Sequence, residues 1–333
     1  MSKPKGIFII NSGSFEKVYG DNELMELVKR VDFVCEPQSA DSIKRKMGFL
    51  GKVEVIFSGL GAPLLDHSFL NSCPNLRTFF YGASSIENFV TDAFWDKDIS
   101  ITTSASLDAI PVSEFVLGQV ILALKHSFYL SRNARATASF LPKDQVFGAY
   151  KTNVGLVGFD ASAKRVLDLI KKVLDVNVLV HDPDLTEEDG KKLGFQVVSL
   201  EDLFLQSHTV SCHIQNDTKM ELKIQKEHFE SMPQYATFIN TSSGSSIEED
   251  SMIEVLRWRR DLTACLDITN PSPPVKNSAL FALPNVVLTP NLSGSVNREC
   301  NRIGRFMIDE LDRSLKGEPL MGEIKKEPTE KLG

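Results

Sequence analysis

The chain has 333 residues, of which 42% are hydrophobic, so it is long enough for one or two domains with sizeable cores. Its formal net charge of -7 disfavours nucleic acid as a partner. No apolar run approaches the roughly 18 residues that a membrane span needs, so we expect no membrane partner. The five cysteines form no C-x-x-C pair, which favours reduced thiols in a cytoplasmic protein and no metal site.

The first hundred residues alternate between short apolar runs and helical patterns, which predicts a parallel sheet with helices on both faces. Strands are predicted at 7–10, 53–57, 76–81 and 99–102, and helices at 21–31 and 66–72. A long apolar helix is then predicted from Pro111 to about Tyr129, because proline suits a first helical turn. Residues 131–152 are predicted to form an irregular arm.

Residues 154–182 carry the pattern around which the chain is organised. An apolar run at 154–157 ends in Gly158, a helical pattern follows, and a second apolar run ends at Asp182. A strand, a tight turn, a helix and a strand with an acidic end form the dinucleotide-binding βαβ unit. The central part of the chain is therefore predicted to be a nucleotide-binding domain.

Further strands are predicted at 195–198, 208–213, 236–240, 262–267 and 285–289. An amphipathic helix is predicted at 297–315, followed by a charged, frayed tail at 318–333. Because this helix comes after a complete second α/β unit, it can return to pack on the first half. The first domain would then be discontinuous.

Six segments match a known family in residue type and in order. The sequence strongly resembles the D-2-hydroxyacid dehydrogenases in AIPVSEFVLGQVILAL at 109–124, HDPDL at 181–185, SCHIQ at 211–215, ESMPQYATFINTSSG at 230–244, TACLDITNPSPP at 263–274 and NVVLTPNLSGS at 285–295. The resemblance implies an α/β protein of two Rossmann-like, doubly wound parallel-sheet domains. These would be a flavodoxin-like substrate domain, 1–103 plus 296–333, and an NAD-binding domain, 104–295.

The sequence departs from the family at its three catalytic positions. The resemblance places an arginine where Ser243 stands, a glutamate where Ser272 stands and a histidine where Asn291 stands. Asparagine cannot donate a proton by titrating, and a serine hydroxyl cannot replace a bidentate guanidinium. Since a positioned acid or base contributes roughly 10²–10⁴-fold to a rate, little of the family's turnover is expected.

The cofactor turn is also altered. The G-x-G-x-x-G fingerprint corresponds to the segment from Gly158 to Ala163, in which Asp160 replaces the second glycine. We expect Asp160 to cap the following helix and to repel pyrophosphate, so that NAD binding is weak or lost. The resemblance assigns cofactor positions to Gly158, Asp160, Ala161, Ser162, Asp182, His213, Thr241, Asp267, Asn291 and Gly294.

Two of these assignments have alternatives. Asp182 is expected to hold the ribose hydroxyls and to favour NAD over NADP, although it could simply end a strand. His213 could replace the missing proton shuttle, although a structural role is the simpler interpretation. In the first domain, the resemblance implies that backbone N–H groups of Gly82, Ala83, Ser84 and Ser85 bind the carboxylate of a small 2-hydroxy or 2-keto acid, or another small anion.

Two hypotheses follow from this sequence. In the first, the chain is a catalytically degenerate family member, a homodimer through its cofactor domain, that acts by binding a ligand or by regulation. In the second, it is an active NAD-dependent oxidoreductase that acts on the CH–OH group of a 2-hydroxy acid through an altered site. Cofactor-dependent reduction of a 2-keto acid distinguishes the two.

Overall fold

The computed structural model describes residues 3–214, 223–242 and 244–326. The chain divides into two compact units, residues 1–108 with 295–333 and residues 109–294. The sequence placed the boundaries at 103/104 and 295/296. The assignment of one unit to substrate and the other to NAD stays a prediction.

The first unit is built on a six-stranded sheet with the order β2-β1-β3-β4-β5-β13, parallel except for β13. The order of its five parallel strands, 2-1-3-4-5, is that of flavodoxin-like folds. The strands are β1 (Lys5–Ile9), β2 (Asp32–Phe33), β3 (Val55–Ser58), β4 (Thr78–Tyr81), β5 (Ser100–Thr103) and β13 (Glu323–Ile324). The helices are α1 (Ser12–Val18), α2 (Asp21–Arg30), α3 (Ala40–Lys44), α4 (His67–Ser72), α5 (Asp92–Trp95) and α13 (Asn301–Lys316).

Helix α13 packs on α1, α2 and β4 of this unit. Its buried Met307 and Leu311 join an aromatic core that contains Phe8, Phe57 and Phe80. The apolar spacing of this helix therefore joins the C-terminal segment to the core of the first unit.

The segment after α13 is ordered at 321–324, so the predicted fraying from residue 318 is wrong there. Glu310 is fully buried, and its carboxylate accepts hydrogen bonds from the Thr102 hydroxyl at 2.7 Å and from the Met321 and Gly322 N–H groups at 3.0 Å each. A buried carboxylate needs such donors. These bonds hold β13 beside β5.

The second unit is built on a seven-stranded parallel sheet with the order β8-β7-β6-β9-β10-β11-β12. Counted from β6, this is the Rossmann order 3-2-1-4-5-6 with one strand added, and the predicted fold class is confirmed. The strands are β6 (Tyr150–Val157), β7 (Asp175–His181), β8 (Gln196–Val197), β9 (Thr209–Cys212), β10 (Thr237–Asn240), β11 (Thr263–Leu266) and β12 (Val286–Leu288). The helices are α6 (Ala105–Leu124, which begins in the first unit), α7 (Ser127–Thr137), α8 (Ala161–Val173), α9 (Glu187–Leu193), α10 (Leu200–Gln206), α11 (Lys226–Ser231) and α12 (Glu249–Trp258).

Successive strand residues of this sheet enter two different cores. Leu156 and Ile239 pack with α8 in one cluster, whereas Val157 and Phe238 pack with α10 and α12 in the other. Side chains alternate between the faces of a strand, so both faces of the sheet are covered, as a parallel sheet requires. The strand order reverses between β6 and β9, where ligands bind in folds of this type.

The region before β6 differs from the sequence prediction. Helix α6 begins at Ala105, so Pro111 lies in its interior rather than at its first turn. The helix ends at Leu124, and His126, with φ of +50°, separates it from a second helix, α7. The predicted irregular arm at 131–152 therefore begins as a helix.

Helix α6 contradicts the expectation that no apolar segment approaches the length of a membrane span. By length and composition alone it is long and apolar enough to cross a membrane. Core helices of soluble proteins pass the same test, and Val116, Val120 and Leu124 of α6 are buried in the core of the second unit. The length and composition of this single helix are therefore only weak evidence for a membrane span.

Candidate functional site

The turn after β6 requires its first glycine. Gly158 has φ of +85°, and a Cβ atom placed there would lie 2.8 Å from the carbonyl oxygen of His213. Its N–H group donates a hydrogen bond of 2.8 Å to the carbonyl oxygen of His181. Only glycine fits this conformation and this close approach. The turn is thereby fixed against the ends of β7 and β9.

Asp160 caps helix α8. Its Oδ1 atom accepts a 2.8 Å hydrogen bond from the Ala163 N–H group and a 2.7 Å hydrogen bond from the Ser162 hydroxyl. The predicted capping role is confirmed. The N-terminus of this helix, where a phosphate would find amide donors and a favourable dipole, already holds a carboxylate of the same chain.

A buried hydrogen-bond chain runs from Asp160 to β9. The Ser162 hydroxyl donates to Asp160, so it must accept from Nδ1 of His213, 2.8 Å away. The other ring nitrogen, Nε2, then accepts from the Ser211 hydroxyl at 2.9 Å. The network therefore specifies the Nδ1–H tautomer of a neutral imidazole.

His213 is poorly suited to replace the missing proton shuttle. Only 1% of the residue is exposed, and both ring nitrogens are engaged. Burial lowers the pKa of His213 to about 4, although the nearby negative charge of Asp160 acts in the opposite direction. The side chain is neutral near pH 7 and contributes no positive charge for a phosphate.

Asp182 lies at the end of β7 and retains acceptor capacity. Its Oδ2 atom accepts from the Phe159 N–H group at 2.8 Å, and its Oδ1 atom accepts from the Asp184 N–H group at 3.0 Å. A carboxylate has about four lone-pair sites, so it can still accept hydrogen bonds from two hydroxyl groups.

A cavity of about 580 Å³ lies over this turn, with Ala161 among its lining residues. We call it the turn cavity. Its lining combines apolar side chains, including Leu185, Leu193 and Ile214, with four carboxylates and one ammonium group. The charged residues are Asp160, Asp182, Asp184, Asp189 and Lys164. Its volume is within the range of small-molecule sites, and its formal charge balance is negative.

Asp267 organises a second loop at the end of β11. This buried carboxylate accepts from the Thr289 hydroxyl at 2.5 Å, from the Leu292 N–H group at 2.7 Å and from the Ser293 N–H group at 2.8 Å. These bonds shape the loop in which Asn291 adopts φ of +54°, a conformation that asparagine tolerates better than most residues. Asp267 is therefore an anchor of the loop.

Two of the three replaced catalytic positions line one cavity of about 540 Å³, which we call the loop cavity. Ser272 and Asn291 both contribute to its wall, together with Asp267 and apolar residues such as Phe281 and Leu288. The third position, Ser243, lies outside the described residues. Asp267 is the only ionisable side chain among the described lining residues, and it already accepts three hydrogen bonds.

Three predicted cofactor positions do not line either cavity: Ser162, whose hydroxyl is engaged with Asp160 and His213, and Thr241 and Gly294. Thr241 is buried, and its hydroxyl has no hydrogen-bond partner within the part of the chain that the structure describes. Gly294 is half-buried, and a Cβ atom there would meet nothing within 4 Å. None of the three is among the residues that line the turn cavity or the loop cavity.

The predicted anion-binding turn of the first unit contacts a carboxylate. Gly82 donates its N–H to the carbonyl oxygen of Ser58 at 2.9 Å, and the Ser84 hydroxyl donates to Asp108. Burial raises the pKa of Asp108, with the Ser84 hydrogen bond acting in the opposite direction. When ionised, this carboxylate opposes the binding of an anion at Ala83–Ser85.

Three of these residues were not predicted from the sequence. Ser211 precedes His213 by two positions on β9, so the period of a strand could have indicated their shared face. Lys164 follows Asp160 by one helical turn, which also places the two side chains on one face. Asp108 carried no comparable local signal.

Comparison with known proteins identifies the family. Residues 117–293, more than half of the chain, match the family model described as "D-isomer specific 2-hydroxyacid dehydrogenase, NAD binding domain". The chain belongs to this family.

Relatives within the D-isomer-specific 2-hydroxyacid dehydrogenases are distant. D-3-phosphoglycerate dehydrogenase of Archaeoglobus fulgidus is 22% identical over 265 residues, which cover 78% of this chain and 49% of that protein. Hydroxypyruvate reductase of Thermotoga maritima is 24% identical over 253 residues, covering 72% of this chain and 78% of the relative. The human glyoxylate reductase/hydroxypyruvate reductase is 26% identical over 181 residues, with coverages of 54% and 55%. The chain thus matches only about half the length of the first and third of these relatives.

Solved structures share the fold over nearly the whole chain. A phosphoglycerate oxidoreductase from Rhizobium etli superimposes with a TM-score of 0.82 at 19% identity, covering 98% of this chain and all of the other. The apo form of Rhodotorula graminis D-mandelate dehydrogenase has a TM-score of 0.76 at 20% identity, with 98% of each chain covered. At these identities the likeness establishes the fold alone.

The buried position of His213 in this family member leads to a pH prediction. Its ordinary pKa is 6.5 and its pKa in the folded chain is about 4, so the unfolded chain binds more protons between these values. Stability that is present above pH 6.5 is therefore lost as pH falls, by about 3 kcal/mol at pH 4. Urea unfolding of wild type and of His213→Asn at pH 7, 5.5 and 4.5 measures the free energy of unfolding. This free energy should fall less steeply with decreasing pH in the variant than in wild type.

The matched control for this measurement is His67→Gln, which replaces an exposed histidine on α4. This variant should retain the acid sensitivity of wild type. Equal pH slopes for His213→Asn and wild type would show that the acid sensitivity arises elsewhere.

Proposed function

We propose that this chain is a D-2-hydroxyacid dehydrogenase family member that binds a ligand or acts in regulation rather than turning over a hydroxy acid. The loop cavity carries this proposal, because Ser272 and Asn291 supply hydroxyl and amide groups where an acid–base pair would be needed. Reduction of a keto group needs a proton donor that titrates near the working pH. Asparagine offers only hydrogen bonds.

The nearby ionisable groups do not compensate for this loss. Asp267 accepts three hydrogen bonds from the loop at 289–293, so its carboxylate is already engaged in holding that loop. His213 is buried between two serines. The alternative of an active oxidoreductase would depend on water, with Asn291 polarising the carbonyl.

We further propose that the second unit binds NAD(H) weakly. The ribose end of a dinucleotide fits the turn cavity, because Asp182 can accept hydrogen bonds from the ribose hydroxyls. The pyrophosphate end does not fit, because Asp160 occupies the Ala163 amide and adds a negative charge. At about 5 Å and an effective dielectric near 20, each phosphate charge would be repelled by roughly 3 kcal/mol before screening.

We also propose that two chains associate through the second unit. Helix α7 has no buried residue although it carries Phe128, Tyr129 and Leu130. Two further apolar side chains are exposed on either side of α7 in the sequence: Leu122, which precedes it, is 43% exposed, and Phe140, which follows it, is 93% exposed. A second copy that covers this face would remove the exposed apolar side chains from water.

The cofactor proposal predicts that Asp160→Gly tightens NADH binding by tenfold or more. The substitution restores the glycine of the fingerprint and frees the Ala163 amide, while a glycine N-cap costs only a few tenths of a kcal/mol. Titration calorimetry of the purified chain with NADH measures the effect. Asp168→Ala, which removes an exposed charge two turns along α8, is the control and should change little. Low-micromolar binding by wild type with no gain in Asp160→Gly would contradict the proposal.

The catalytic proposal predicts that activity returns only when the groups are restored together. Ser243→Arg, Ser272→Glu and Asn291→His, combined with Asp160→Gly, should give measurable NADH oxidation with a small 2-keto acid. Each single restoration should give little, because such groups act as a unit. The rate should stay poor, since placement within about 0.5 Å depends on supporting residues.

A panel of keto acids assayed by NADH absorbance makes this comparison. Turnover by wild type at the rate of an ordinary family enzyme would refute the proposal. A folded quadruple variant that binds NADH and stays inert would show that replacing side chains alone does not explain the loss.

The association proposal predicts a two-chain mass for wild type in sedimentation equilibrium. Leu122→Asp combined with Phe140→Asp should shift the chain to the single-chain mass, because a buried unpaired carboxylate destabilises an interface. Met25→Asp, at an exposed apolar position on α2, is the control and should leave the mass unchanged. A single-chain mass for wild type at micromolar concentration would rule out the association.

A further inference from the structure

The turn cavity has a charge pattern that opposes phosphate. Four carboxylates and one ammonium group line it, which gives a formal balance of -3. The ammonium group, Lys164 Nζ, lies 5.6 Å from the centre of the Phe159 ring. Asp189 is kept ionised, because hydrogen bonds from Thr186 lower its pKa. An anionic ligand would therefore enter a region of negative potential.

Two of the amide groups that could offset this potential are already engaged. The Ala163 N–H donates to Asp160, and the Phe159 N–H donates to Asp182. A phosphate that replaced either carboxylate would leave an ionised carboxylate without that hydrogen bond, which is unfavourable. These two amides of the turn are thus satisfied without an external anion.

The same cavity keeps the features that bind the uncharged part of a nucleotide. Asp182 has acceptor sites left for two hydroxyl groups, which suits the vicinal diol of a ribose. Leu185, Leu193 and Ile214 provide apolar surface for a flat base. The volume of about 580 Å³ is in the range of small-molecule sites.

We propose that the turn cavity takes an uncharged ribonucleoside, held by its diol on Asp182, and that each 5′-phosphate weakens the binding. This inference deepens the proposed weak binding of NAD(H) and rests on the same role of Asp160. It names uncharged ribonucleosides as the ligand class. It also predicts that affinity falls with each added phosphate, whereas a phosphate-binding turn would show the opposite order.

Titration calorimetry with adenosine, 2′-deoxyadenosine, AMP and ADP tests the proposal on the full chain. Adenosine should bind most tightly, and the affinity should fall by about tenfold with each added phosphate, since several kcal/mol of repulsion are partly screened by salt. The loss of one hydroxyl in 2′-deoxyadenosine should cost about tenfold, because a hydrogen bond to a charged acceptor is lost.

Three variants separate the contributions. Asp160→Asn removes the charge and keeps a good N-cap. It should therefore reduce the differences in affinity among adenosine, AMP and ADP without unfolding the helix. Asp168→Asn removes the same charge from an exposed position two turns along α8 and should leave the order unchanged. Asp182→Asn should bind adenosine and 2′-deoxyadenosine almost equally.

The outcomes distinguish this inference from the function on which it rests. An affinity that rises from adenosine to ADP in wild type overturns the inference, and so does undetectable adenosine binding at millimolar concentration. In both cases weak NADH binding would leave the proposed function intact. Tight NADH binding together with a falling order from adenosine to ADP would overturn the proposed function and retain the inference.

Discussion

The second unit depends on one internal anion at the start of α8. The Asp160 carboxylate closes the first turn of the helix through the Ala163 amide and fixes the Ser162 hydroxyl. Through that hydroxyl it sets the tautomer of His213 at the end of β9, so one charge coordinates a strand and a helix that are distant in sequence. Because helix N-termini and their dipoles are the usual places for bound phosphate, the Asp160 carboxylate lies where a phosphate would otherwise be favoured.

A second carboxylate also accepts hydrogen bonds from a neighbouring loop, in the other half of the strand order. Asp267 follows β11 as Asp182 follows β7, and its three hydrogen bonds come from the 289–293 loop. In both places backbone donors beside a cavity are satisfied by carboxylates of the chain itself. Buried polar groups are costly when unpaired, so these hydrogen bonds stabilise the turn after β6 and the loop at 289–293.

The sequence predicted the features that depend on local periodicity and chain order. The βαβ unit around Gly158, the cap at Asp160 and the two sheets follow from apolar spacing, turn residues and the family resemblance. Helix α7 was missed because residues 131–152 lack an apolar stripe, and the start of α6 was misplaced because Pro111 suggested a first turn. The contact between Ser162 and His213 joins residues 51 positions apart, so only the folded chain reveals it. Ser243 lies outside the described residues, so the third catalytic position rests on sequence alone.

The replacement of a glycine by Asp160 has a physical consequence for the domain without its ligand. A bound cofactor at a hundred times its dissociation constant would stabilise a domain by about 2.7 kcal/mol, and that contribution is absent when binding is weak. Relative to glycine, an aspartate N-cap stabilises a helix by only a few tenths of a kcal/mol, and its charge contributes roughly a further 0.3–1 kcal/mol with the helix dipole. The internal carboxylate therefore offsets roughly a third of what a steadily bound dinucleotide would supply. A glycine at this position favours a turn that is completed by phosphate, whereas an aspartate favours a turn that is complete on its own.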